Sequence, residues 1–97
     1  MTKKEKKIIK LDDEITAVNV DVLRTKLLKF SEQKVKELVL DLAKVDTVDS
    51  VGLGLILATH NTLKNSGGNL ELINVSKEIY GLFHAMRLNH HFEIQGS

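Results

Sequence analysis

Residues 38–65 read LVLDLAKVDTVDSVGLGLILATHNTLKN, and the fold turns on how this stretch is divided. Leu38, Val39, Leu40 and Leu42 form an apolar run interrupted by one acid, Asp41. Such a run suits an inner strand of a sheet covered by helices. Lys44, Asp46, Thr47 and Asp49 then break the apolar pattern and predict a loop. From Gly52 the period changes. Leu53, Ile56, Leu57 and His60 stand at i, i+3, i+4 and i+7, on one face of a helix. Ser66-Gly67-Gly68 supplies a residue tolerant of positive φ, so the helix is predicted to stop near Asn65.

This division puts Ser50 at, or one residue inside, the start of the helix. One reading makes it an N-cap, its hydroxyl oxygen accepting from an orphan backbone N–H. The other makes it a phosphorylation site. A phosphate there faces free N–H groups and the positive end of the helix dipole. It adds about −1.5 to −2 charges to the surface without melting the fold. Gly52 and Gly54 lie in the first turns, where each glycine costs roughly 1 kcal/mol against alanine. Either they pack against a neighbouring strand or another backbone approaches them closely.

Working outward, residues 7–11 are β-rich and predict a first strand. Asp12-Asp13 reads as a turn, and residues 14–17 as a short second strand. Asn19 is placed to cap a helix with Asp21 in its first turn. Val20, Leu23, Leu27 and Phe30 form its apolar stripe, and it ends around residues 31–33. Asn69–Val75 is a strand with apolar side chains on both faces. Ser76 caps a third helix with the stripe Ile79, Leu82, Phe83 and Met86. Residues 89–91 break the pattern, and Phe92 and Ile94 suggest a last short edge strand. The alternating order predicts an α/β fold with parallel neighbours and right-handed crossovers. In such sheets ligands and partners meet the loops at the carboxyl ends of strands, where residues 43–49 fall.

Composition narrows the function classes. Ninety-seven residues, 42% of them hydrophobic, fit one small domain with an ordinary core. There is no cysteine, hence no disulfide, thiol nucleophile or thiolate metal ligand. No apolar run approaches the ~20 residues of a membrane span, and no signal peptide is visible, which points to the cytoplasm. The formal charge is +1, but residues 1–7 carry four lysines and one glutamate. They read as a flexible basic terminus. The remaining body is slightly acidic and has no general attraction for nucleic acid. No P-loop, GxGxxG, HExxH or CxxC occurs. The histidines are His60, His84, His90 and His91, and the adjacent last two would diverge in a strand. Asp46 and Asp49 suit hydration or a helix start better than paired acid–base work. The chain therefore reads as a non-enzyme, with no catalytic residue, metal or cofactor.

Val48-Asp49-Ser50-Val51-Gly52-Leu53-Gly54, preceded by Leu38-Val39-Leu40-Asp41-Leu42, resembles the STAS family, and within it the bacterial anti-sigma factor antagonists. Gly67-Gly68, the strand from Leu70 to Val75, the pair Leu82-Phe83 and Asp13-Glu14-Ile15-Thr16 extend the likeness over about residues 8–95. The resemblance implies a single small domain, a β-α superhelix with a mostly parallel four- to five-stranded sheet and three main helices. It also implies binding to an anti-sigma factor that is a serine kinase, a GHKL-type ATPase, with release of the sigma factor. That kinase would phosphorylate Ser50 and dissolve the complex, and a PP2C-type phosphatase would restore it. Family contacts carried onto this chain are Glu14 and Thr16 at the rim, with Asp49, Ser50, Val51, Gly52 and Gly54 around the turn. Two positions depart from the pattern. Val51 stands where the family often has a second hydroxyl, leaving Ser50 as the candidate in the turn ahead of Thr47. Asp13 replaces a glycine. The alternative within the family is a non-switching subunit of a lipid-transport ATPase, or of a chemosensory or stress-signalling assembly.

Overall fold

Strands and helices alternate along the chain: β1 (Lys6–Lys10), α1 (Val20–Glu32), β2 (Glu37–Asp41), α2 (Ser50–Asn65), β3 (Asn69–Val75), α3 (Lys77–Ala85), a 3-10 turn (Leu88–His90) and β4 (Glu93–Gly96). The computed structural model describes residues 6–32 and 35–96, apart from the side chains of Leu28, Phe30, Ser31 and Glu32. Residues 1–5 of the expected flexible terminus, and Phe30 of the expected α1 stripe, lie outside what is described. Lys6 and Lys7 do not belong to such a terminus. They pair with Glu37 and Leu38 as the first rungs of β1 against β2.

The sheet runs β1-β2-β3-β4, and every neighbouring pair is parallel. A sheet laid down in sequence order with right-handed crossovers carries all its helices on one face. Burial alternates in β1 and along the first part of β3, whereas the inner strand β2 is buried on both faces, with Val39 only 3% exposed. Ile9, Leu38, Leu40, Leu70 and Leu72 point into the core together with Leu27, Leu53, Ile56, Leu63, Ile79 and Phe83 from the helices. Ile8, one residue from Ile9 and therefore on the other face, is 61% exposed. Phe83 is wholly buried, and its removal from water contributes on the order of 2 kcal/mol.

The sheet has four strands, at the low end of the expected range. Residues 14–17 do not form a fifth. Ile15 alone makes a parallel bridge to Val48, because the chain turns into α1 immediately afterwards. The α3 stripe also differs from its reading. Ile79 and Phe83 are buried, but Leu82 is 38% and Met86 48% exposed. The helix is nine residues long and Met86 is already its C-cap, so its buried face narrows to Ile79 and Phe83. Past α2, Gly67 adopts φ 81°, as the Ser-Gly-Gly sequence requires. At the carboxyl ends of β2 and β3, Asn74 also takes a positive φ, 55°. Its amide donates to Asp41 Oδ1 at 3.1 Å, beside the irregularity in the β3–β4 ladder.

Candidate functional site

Three backbone hydrogen bonds assemble the turn before α2. Ile15 N–H donates to Thr47 O (2.9 Å), Asp49 N–H to Ile15 O (3.2 Å), and Leu53 N–H to Asp49 O (2.9 Å). The first two hold residues 47–49 against the segment leading into α1. The third is the first turn of α2.

Asp49, not Ser50, is the N-cap. Its backbone is extended, and Oδ1 accepts from Gly52 N–H at 2.8 Å. Its second oxygen accepts from Ala17 N–H at 3.0 Å, thirty-two residues away in sequence. The Gly52 and Ala17 N–H groups, in that order, hold the Asp49 carboxyl below its ordinary range, against a smaller opposing effect of burial. Ser50 is the first residue of the helix, one inside the cap, and it is exposed. The capping reading of Ser50 fails for a chemical reason. A carboxylate has two acceptor oxygens, and at position 49 it satisfies both the helix and the neighbouring loop.

The two glycines have separate explanations. A Cβ on Gly52 would lie 1.9 Å from Ile15 O, so the helix start and the 15–17 segment can approach only because residue 52 has none. Gly54 is exposed, and a Cβ there would meet nothing within 4 Å. Close backbone approach inside this chain accounts for the first glycine and not for the second.

The remaining residues of the expected site fall around this turn. Glu14 is half-buried, and Thr16 is only 5% exposed. The Thr16 hydroxyl donates to the Glu14 carboxylate and accepts from Val18 N–H at 3.2 Å. Asn19 occupies the residue before α1, but its side chain turns back. Its Oδ1 accepts from Thr16 N–H at 3.1 Å and its amide donates to Glu14 O. Thr16 and Gly52 thus shape the surface from beneath. Ser50, Val51 and Gly54 lie on it, with Val51 43% exposed. Val18 (87% exposed) and Val22 (72% exposed) add apolar surface at the start of α1, which the sequence reading did not single out. The signal was available: Val22 falls outside the apolar stripe of its helix. Chemically, the site offers one exposed hydroxyl at the positive end of a sixteen-residue helix, in a rim of small and apolar side chains.

The STAS domain model matches residues 2–97. The anti-sigma-B factor antagonist of Bacillus subtilis (strain 168) is 36% identical over 75 residues, covering 77% of this chain and 68% of that protein. Solved structures share the fold at lower identity. The anti-sigma factor antagonist SpoIIAA in its unphosphorylated form superposes with a TM-score of 0.75 at 22% identity, over 100% of this chain and 84% of that one. The phosphorylated form of SpoIIAA, from Bacillus, gives 0.73 at 24%, over 97% and 86%. A sulfate transporter family protein from Wolinella succinogenes gives 0.79 at 17%, over 93% and 75%.

Proposed function

The chain belongs to the STAS domain family, and we propose that it is an anti-sigma factor antagonist switched by phosphorylation of Ser50. In the unphosphorylated state it binds an anti-sigma factor that is also a GHKL-type serine kinase, and so frees the sigma factor. Phosphorylation at Ser50 ends that binding, and a PP2C-type phosphatase reverses it. The setting is the cytoplasm. Among the described residues no helix is long and apolar enough to cross a membrane.

One observation carries the reading. Asp49 supplies the cap of α2, so the fold makes no capping demand on the exposed hydroxyl beside it. A phosphate on Ser50 would leave both Asp49 hydrogen bonds in place and sit where the helix dipole favours negative charge. What it would change is the surface: about two negative charges beside Val51 and Gly54, where a docked partner would have to desolvate them. The proposed contacts are Ser50, Val51 and Gly54 directly, with Glu14, Thr16, Asp49 and Gly52 setting their shape.

The test is incubation with an anti-sigma kinase and ATP, read by intact mass. Gain of a single phosphate, abolished in Ser50→Ala, is expected. Ser50→Asp should stay folded, since a carboxylate at a helix start is favourable by about 0.3–1 kcal/mol. It should no longer bind the kinase. The second reading, a non-switching subunit of a transport or stress-signalling assembly, draws on the shared fold of the Wolinella transporter-family protein. It is favoured if no phosphate is gained and the protein instead co-purifies stably with a transporter ATPase.

A further inference from the structure

The four histidines, scattered over residues 60–91, gather at the end of the sheet away from Ser50. They line an open groove of about 780 Å³ with Tyr80, Phe92 and the amino-terminal residues of β2, β3 and β4. His60, on the inner side of α2, is only 7% exposed, and its Nδ1 is buried without a hydrogen-bond partner. Its ring lies 5.2 Å from that of Phe92 and 6.1 Å from that of His91. Both neighbours belong to the chain's last segment, which ends in the edge strand β4, joined to β3 also by a Gln95 side-chain amide that donates to Glu71 Oε2 at 2.7 Å. Arg87 turns into it with φ 60°, and β4 pairs with β3 through Glu71↔Glu93, Leu72↔Ile94 and Val75↔Gly96, with a register shift inside. Leu88 and Phe92 anchor it in the core, and Phe92 is the residue His60 touches.

We propose that His60 makes this edge of the sheet acid-sensitive: a proton on its buried ring releases residues 88–96 from α2. The physical basis is the cost of an unpaired charge in a dry site. Burial first, then Lys64 one turn along α2 and His91 opposite, hold the His60 imidazole neutral below its ordinary range. The other titratable groups of the groove are Glu37 on β2, Glu71 on β3, Tyr80 and His84 on α3, His90 in the 3-10 turn and Glu93 on β4. Among the described residues the sole ion pair is Arg24–Asp21, so none of those carboxylates lies against His60 to receive the charge. Water reaches the ring when the irregularly paired segment lifts, because α2 is held along its length by the core and β4 is an edge strand.

The sign follows from the lowered value. The closed state is fully favoured above the ordinary imidazole pKa of 6.5. It loses ground as pH falls through that value, and the loss levels off below the pKa of the closed form. Between the two, each pH unit multiplies the open fraction by up to about tenfold. The experiment is amide hydrogen exchange of the intact chain between pH 7.5 and 5, corrected for intrinsic rates, with β1–β2 amides as internal reference. Opening of 93–96 should rise several-fold relative to β1–β2 in the wild type and stay flat in His60→Phe. A flat wild-type ratio, a rise that persists in His60→Phe, or a rise abolished only in His91→Gln would overturn the proposal. Should His60→Phe not fold, the NMR titration of His60 in the wild type decides. A midpoint below 6.5 linked to exchange at 93–96 supports the latch, and a midpoint at or above 6.5 sinks it.

Discussion

The starts of α2 and α3 use the same device to different ends. Ser76 caps α3 by accepting from Ile79 N–H at 3.3 Å, a bond within its own helix. Asp49 caps α2 in the same way at 2.8 Å but spends its second oxygen on Ala17, across the gap between two elements. A hydroxyl has one oxygen to offer and a carboxylate has two. One cap therefore ends a helix, and the other also fastens the entry of α1 to the entry of α2. That fastening gathers Thr16, Val18, Ser50 and Val51 at one end of the molecule, and the glycine at 52 is what lets the two strands of the knot touch.

The comparison breaks most severely at Gly52. Gly52→Ala drives a methyl into the Ile15 carbonyl, and backbone cannot be repacked as a side chain can. A loss of about 3 kcal/mol or more is expected, with failure to fold as the extreme, read by urea unfolding. An unchanged midpoint would show that the helix start can slide away from Ile15 freely. Ser50→Ala, as a control two residues away, should leave the midpoint within about 0.5 kcal/mol.

Next come the two caps themselves. Asp49→Ala should lower the thermal midpoint by about twice as much as Ser76→Ala, because it removes a tether as well as a cap. Ser76→Ala should cost about 1 kcal/mol. The pH dependence separates them further. The folded-state pKa of Asp49 is lowered, so its contribution is complete above the unfolded value of about 3.8. It is lost as pH falls through the folded value. The gap between wild type and Asp49→Ala should therefore close in acid, while the gap for Ser76→Ala stays constant. Equal losses in the two variants at neutral pH would mean that the Ala17 bond contributes nothing.

The same contrast explains what was legible in the sequence. Periodicity found β2, α1, α2 and β3 because each depends on residues near one another, and Asn69–Val75 lies within the bounds read for it. It also located Ser76, a cap of local kind. The Asp49–Ala17 bond joins positions that no local pattern connects, so the sequence allowed Asp49 a helix-start role but left capping open as one reading of Ser50. His60 was read correctly onto the inner face of α2, but nothing in its spacing said that residues 91 and 92 would close over it. The α3 stripe was over-read for the opposite reason. Leu82 and Met86 have the right period, yet the buried face of α3 is only as wide as Ile79 and Phe83, with Leu82 at its margin and Met86 already the C-cap.

The smallest expected effect is at Gly54, and it runs the other way. Its backbone has no positive φ and its Cβ position is open, so nothing within this chain requires glycine there. Gly54→Ala should stabilise the fold by about 0.5–1 kcal/mol, through the lower entropy of the unfolded chain and the better helix propensity of alanine. The glycine lies on the exposed face of α2, four residues past Ser50, and the packing of this chain gives no reason for it. Under the proposed function the reason is close approach of the kinase. Gly54→Ala should then gain stability and lose affinity for the kinase together, as read by thermal denaturation and by titration calorimetry. A gain in stability with affinity unchanged would remove Gly54 from the docking surface while leaving Ser50 on it.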